Sequence, residues 1–182
     1  MKQKLTTEEK IALCKKIALS YFSSYDKKTV KDGATWDTWV FAKGATYWSP
    51  YFGGETIDLD TNPVSVPDGA SFEALSYSIE FPDWKPLGFE YWAAEDGAAW
   101  KSHFGGHRKD TGELMDFFSY SYVKINDYGE ITHWETHVNR QYDDFLDVAI
   151  ETHGPFVGPQ EYMDVVCRKL ASAGIDIEKI KH

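Results

Sequence analysis

Residues 87–139 read LGFEYWAAEDGAAWKSHFGGHRKDTGELMDFFSYSYVKINDYGEITHWETHVN, and three turn signals divide them into four strand-like segments. Glu95-Asp96-Gly97 carries the Asp-Gly dipeptide that two-residue hairpins favour, because both central residues of such a turn need positive φ. Phe89 to Glu95 is therefore expected to pair with Ala98 to His107. Lys109-Asp110-Thr111-Gly112 makes the next turn, into Leu114 to Ile125, and Asn126-Asp127-Tyr128-Gly129 the one after, into Glu130 to Asn139. Four consecutive strands joined this way form an antiparallel meander.

Upstream the period is helical. Thr6 and Glu9 fit a capping box, and Ile11, Cys14, Ala18, Tyr21 and Tyr25 recur at steps of three and four, which predicts a helix from about Thr7 to Tyr25 with one face on a sheet. A second, shorter helical stretch holds Trp36 and Trp39, and Ala45-Thr46-Tyr47-Trp48-Ser49-Pro50 reads as a short strand ended by proline. Residues 52–69, punctuated by Gly53, Gly54, Pro63, Pro67 and Gly69, read as a long loop. Ser71 to Glu80 follows as a helix with Phe72, Leu75 and Ile79 inward, stopped by Pro82. Downstream of the meander, Tyr142 to Thr152 and Pro159 to Ala173 show helical spacing, the second closed by Gly174. The expected organisation is one domain over 1–182, with a core at about 7–140 and a helical extension at 141–182.

The formal charge of −10 repels polyanions, so nucleic acid is not an expected partner. Cys14 and Cys167 both fall in helical segments and define no disulfide framework; each reads as a small buried hydrophobe. MKQKLTTEEK is followed by no apolar run of signal-peptide character, and no stretch approaches a membrane span, so the expectation is a cytoplasmic protein without a membrane partner. Aromatic residues make up 16% of the chain, with seven Trp and eleven Tyr, whose polar ends are wasted in a dry core and useful around a pocket.

Helices, a short strand, a long connection and a four-stranded meander come in the order of the nuclear transport factor 2-like superfamily, which residues 7–140 resemble. Ala45-Thr46-Tyr47-Trp48-Ser49-Pro50 is similar to that family's first strand, and Gly129-Glu130-Ile131-Thr132-His133-Trp134-Glu135-Thr136-His137-Val138-Asn139 to the last strand of SnoaL-like polyketide cyclases, with Asn139 where an Asp is common. The resemblance implies an α+β cone: a curved antiparallel sheet packed by N-terminal helices around a pocket, with an extra C-terminal helix that caps the pocket or extends a dimer contact. It further implies acid/base chemistry without a cofactor, and a homodimer formed through the outer face of the sheet. Scytalone dehydratase, ketosteroid isomerase, polyketide cyclases, limonene epoxide hydrolase and lignin-dimer formaldehyde lyases share the fold, so the fold does not choose the reaction.

The densest titratable cluster is His133, Glu135 and His137, which alternate along one strand and share a side. Counting from Ile131 places that side in the pocket; the opposite parity would put Trp134, Thr136 and Val138 there instead. On the neighbouring strand Lys101 and His103 alternate, the Lys suited to stabilising an oxyanion or phenolate unless the row is simply exposed. The expected catalytic set is His137 as base with Lys101, His103, Glu135 and Tyr51. Tyr47, Trp36, Trp39, Trp92, Ser119, Ser121 and His133 are the expected substrate-binding residues, and Asp37 and Ser49 complete the lining. Ser49 stands where the resembled family often has its acid/base carboxylate, which counts against isomerase chemistry of the ketosteroid type. A metal site built from His103, His107, His133, Glu135 and His137 lacks any established ligand spacing, and none is expected. The preferred reading is a cofactor-independent lyase acting on a hydroxylated aromatic or polycyclic small molecule, a lignin-derived aromatic dimer being one version. An isomerase or polyketide-type cyclase and a non-catalytic binding or dimerisation module are the alternatives.

Overall fold

The computed structural model describes residues 2–25, 38–61 and 66–180. Trp36 and Asp37 of the second helical stretch lie outside them, whereas Trp39 lies within them, outside any helix and just ahead of the first strand. Helix α1 (Thr7–Ser24) starts on the expected capping box: the Thr6 hydroxyl accepts from Glu9 N–H at 3.2 Å and the Glu9 carboxylate accepts from Thr6 N–H at 2.8 Å. Strands β1 (Phe41–Trp48) and β2 (Ile57–Asp58) follow, then α2 (Val66–Glu80), β3 (Lys85–Ala93), β4 (Gly97–His107), β5 (Leu114–Ile125), β6 (Ile131–Val138), α3 (Gln141–Ala149) and α4 (Pro159–Ser172). The six strands form one curved, unclosed sheet in the order β2-β1-β6-β5-β4-β3, antiparallel except where β1 lies parallel to β6. This is the expected α+β architecture, with α1 laid across β3 and β4 and α3 across β5.

Several local expectations change. The segment read as a loop holds β2, which pairs with β1, and the first turn of α2. Pro67 is compatible with that helix because a first-turn position has no intrahelical partner for an N–H. The β3–β4 turn closes through Ala94 N–H to Gly97 C=O at 2.9 Å, with Glu95 and Asp96 at its centre and neither at positive φ. Gly97 is needed for a different reason: a Cβ there would stand 2.1 Å from the Val123 carbonyl oxygen.

The irregularity that matters most is in β6. Ile125 pairs with Ile131 but Lys124 pairs with His133, so Thr132 is an extra residue, a β-bulge whose hydroxyl bonds the Lys124 carbonyl. Because side chains alternate with period two, one extra residue inverts the parity of everything beyond it. Ile131 and Trp134 are therefore both buried on the helix-covered face, at 0% and 2% exposure.

The core on that face is aromatic. Trp100 and Trp134 meet edge to face at 5.4 Å, Tyr21 of α1 sits on both, and Phe145 of α3 contacts Phe117 of β5. Rings at these separations add to area burial and also fill space stiffly, which suits a wall that must stay open beside a cavity.

Candidate functional site

Between the sheet and the helices lies a half-enclosed cavity of about 140 Å³. Strand residues reach it in alternation: Tyr47 from β1, Phe117 and Ser119 from β5, and Trp134, Thr136 and Val138 from β6. Ser49, at the end of β1, and Tyr51 and Phe52, in the turn that Ser49 caps, form one edge. Helices close the opposite wall with Tyr21, Tyr25 at the end of α1, Glu73 and Tyr77 of α2, Tyr142 of α3, and Tyr162 and Met163 of α4. The C-terminal helices thus cap the pocket.

Among the described residues Glu73 is the carboxylic acid of this lining, which contains no Lys, Arg or His. It sits one helical turn before Tyr77, so both side chains leave α2 on the cavity side. The Tyr25 hydroxyl donates to Glu73 Oε2 at 2.8 Å. Burial pushes the Glu73 carboxyl up to about 7, against the hydrogen bonds of Tyr25 and Tyr162, which pull it down. A carboxyl poised there exchanges its proton near neutrality.

Behind Glu73 three phenols meet. The Tyr77 hydroxyl contacts that of Tyr142 at 2.9 Å and that of Tyr162 more closely still, and Tyr142 and Tyr162 hydroxyls are 3.0 Å apart. Burial, with the nearby carboxylate, pushes all three well above the ordinary phenol range, so they remain hydrogen-bond donors. On the sheet wall the Trp134 indole N–H donates to Thr136 Oγ1 at 3.0 Å and Ser121 Oγ lies 2.9 Å from the same oxygen. Ser119 Oγ is buried without a hydrogen bond of good geometry, although the Tyr21 hydroxyl faces it. The cavity is therefore apolar walls around two polar points, a proton-exchanging acid on the helices and hydroxyls on the sheet.

Of the residues expected from sequence, Tyr47, Tyr51, Trp39 and Ser119 line this cavity. Tyr51 turns its hydroxyl to Asp143 Oδ1 at 3.1 Å, and Trp39 donates its indole N–H to Ser20 Oγ at 2.5 Å. Ser121 lies on the inner face, bonded to Thr136 but outside the lining. Trp36 lies outside the described residues.

The remaining expectations are corrected. His133, Glu135 and His137 are on the outer face, because the Thr132 bulge breaks the count from Ile131. There His137 Nε2 is 2.6 Å from Glu135 Oε1, and His133 Nδ1 is 2.8 Å from Thr46 Oγ1. Burial raises Glu135, but bonds from His137, Tyr122 and His133 outweigh it and hold the carboxylate below its usual range. Lys101 and His103 are also outside, since Trp100, Ser102 and Phe104 take the inner positions of β4. Lys101 Nζ lies 4.8 Å from the centre of the Phe118 ring and 3.8 Å from Glu90, and His103 Nε2 lies 2.6 Å from Asp116 Oδ2. Trp92 is 59% exposed on edge strand β3. Among the described residues no three His, Cys, Asp or Glu side chains converge as a metal site.

Sequence reading missed Glu73, Tyr77, Tyr142 and Tyr162 as site residues. The choice of Phe72, Leu75 and Ile79 as the inward face of α2 hid them, yet Gly69, Glu73 and Tyr77 recur at steps of four on the adjoining stripe, and that spacing was the available signal.

No protein-family model and no curated protein matches this sequence. Solved structures similar to it include a SnoaL-like polyketide cyclase, so described provisionally, from Jannaschia sp. CCS1, with 10% identity over 75% of this chain and 93% of that one at a TM-score of 0.46. PrhC from Penicillium brasilianum NBRC 6234 aligns over 92% of this chain and 97% of its own, with 12% identity and a TM-score of 0.46. A polyketide cyclase, again so described provisionally, from Xanthomonas campestris pv. campestris aligns over 73% and 95%, with 11% identity and a TM-score of 0.46. Likeness this distant says nothing of the reaction.

Proposed function

We propose that the cavity is the active site of a cofactor-independent lyase or isomerase in which Glu73 transfers a proton on a small, largely apolar molecule. The observation that carries this reading is Glu73 itself: a carboxyl raised to about 7 by burial, bonded by Tyr25 and facing open space. A general acid/base works best with a pKa near the working pH, and such groups contribute about 10²–10⁴ in rate. Aromatic walls hold the substrate and keep water from competing, while Tyr162 and the sheet hydroxyls supply donors where negative charge develops. The carboxylate that Ser49 lacks thus arrives from the opposite wall, on α2.

Size narrows the substrate. At about 140 Å³ the cavity is close in size to a cavity of roughly 150 Å³ that takes up one benzene, which favours one ring or two fused rings over an aromatic dimer. The test is a thermal-shift screen of hydroxylated monocyclic and bicyclic compounds, since a ligand that binds only the folded state raises its melting point. Turnover of the hits follows, in wild type and Glu73→Gln. A drop of roughly 10²–10⁴ in kcat supports the assignment; unchanged turnover in the variant sinks it.

The outer face supports a second proposal, a homodimer. Trp92 at 59% exposure and Tyr120 at 44% stand among Trp48, Phe118 and Tyr122 on one continuous surface, and a second copy would cover them. Sedimentation across a range of concentrations tests it; a monomer mass throughout overturns it.

A further inference from the structure

The charge balance of the cavity carries more than the presence of an acid. A carboxylate taken out of water is costly unless paired, and proteins ordinarily supply the partner from a neighbouring Lys, Arg or His. Among the described residues the lining offers Glu73 none, only the neutral hydroxyls of Tyr25 and Tyr162. What surrounds it instead is rings: Tyr21, Trp39, Tyr47, Phe104 and Trp134 among others. Aromatic faces carry the negative end of a quadrupole, and cations are attracted to them most strongly where water is excluded. A buried hydroxyl, Ser119 Oγ, waits on the sheet wall without a well-formed hydrogen bond. The chain as a whole carries a formal −10, which draws cations and turns anions away before they reach the mouth.

We propose that the cavity selects a small organic cation, a protonated or quaternary amine with a compact apolar body, whose charge is balanced by Glu73 and the ring faces and which no basic residue of the described lining competes against. The inference rests on the reading of the cavity as the ligand site and names the class of ligand it takes. It also gives Glu73 its working form. A bound ammonium favours the carboxylate, so arrival of the ligand displaces the proton that the empty site holds near neutrality, leaving a base ready to accept one from the substrate. The step balances: the O–H bond of the Glu73 carboxyl breaks on binding and its proton passes to solvent, with no covalent bond formed between protein and ligand. An anionic ligand meets the opposite situation, an acid that cannot pair with it and walls that repel it.

The experiment uses a pair of molecules of equal shape and different charge, choline and 3,3-dimethylbutan-1-ol, with 3,3-dimethylbutanoate as the anion, titrated calorimetrically into the full chain at pH 6 and pH 8. Choline keeps its charge at both values, so any pH dependence belongs to the protein. The expected result is choline binding at least tenfold tighter than its carbon isostere at pH 8, with several-fold less advantage at pH 6, and the butanoate not binding. Glu73→Gln, isosteric and neutral, should remove the advantage and its pH dependence together. The proposal is overturned if the isostere binds as tightly as choline in wild type, if the preference survives in Glu73→Gln, or if none of the three binds. Where the neutral alcohol binds equally well and Glu73→Gln still abolishes turnover of a neutral substrate, cation selection fails and the catalytic assignment stands. Where nothing enters the cavity in either assay, both fall.

Discussion

The two faces of the same strands hold opposite chemistries. The outer face presents Lys101, His103, His133, Glu135 and His137, each within reach of a partner at the surface: Glu90, Asp116, Thr46 or one another. The inner face presents rings and hydroxyls, and the one carboxyl among its described lining residues comes from a helix rather than a strand. A dense group of titratable residues is thus the ordinary result of a solvated sheet face, where pairing is easy and each pair contributes little. A lone acid among rings is the unusual arrangement, because desolvation outweighs the hydrogen bonds of Tyr25 and Tyr162 and shifts its proton affinity towards neutrality. Density of ionisable groups is a poor guide to a site; scarcity inside an apolar enclosure is a better one.

Moving residues between the faces is the harshest way to break this contrast. Deleting Glu135 removes one residue from the regular part of β6 and turns His137 inward and Thr136 outward, unpairing Ser121 and Trp134 from their shared acceptor. A loss of several kcal/mol is expected from burying an unpaired polar ring and breaking that network, read as a melting point lower by roughly 10 °C or more. Deleting Thr132 is expected to do far less, since it removes the bulge and leaves Ile131 and Trp134 both inward. Equal damage from the two deletions would show that the bulge does not set parity.

The next largest effect sharpens the contrast through pH. Below pH 4.5 Glu73 is protonated in both folded and unfolded chains; between 4.5 and about 7 the unfolded chain releases its proton while the folded one keeps it. Stability therefore falls as pH rises through that window, by roughly 3 kcal/mol in total at about 1.4 kcal/mol per unit, and levels off above it. Glu73→Gln lacks this loss. Urea denaturation at pH 4, 6 and 8 should show the variant gaining on wild type across the window, and parallel curves would mean that the carboxyl is not desolvated.

Tyr77→Phe tests the inner polar network on a smaller scale. It leaves the Tyr142 and Tyr162 hydroxyls with one partner fewer, and a cost of about 1–2 kcal/mol is expected in the same denaturation assay. The outer face supplies the smallest change. Lys101→Ala removes a ring contact and a 3.8 Å ion pair at the surface, and about 0.5–1 kcal/mol or less is expected, with turnover unaltered in the monomer. A large loss of kcat with unchanged assembly would return Lys101 to the catalytic set.

Much of the architecture could be read along the chain because its causes are local. Gly112 and Gly129 occupy turns at φ of 73° and 77°, the Thr6–Glu9 box opens α1, and β5 alternates cleanly between Phe117, Ser119, Ser121 and Val123 inside and Tyr120 and Lys124 outside. These features depend on a few neighbouring residues, and their chemistry shows in any window that contains them. The parity of β6 did not show, because whether Thr132 continues the pleat or bulges out of it is decided by how Lys124 and Ile125 pair from the adjacent strand. The site was hidden for the same reason at longer range. Tyr25, Glu73, Tyr142 and Tyr162 belong to four segments, and no one of them is more than an ordinary helical residue on its own. Their chemistry arises only when the chain folds them around one cavity, since the energy that raises Glu73 comes from water removed by all of them together.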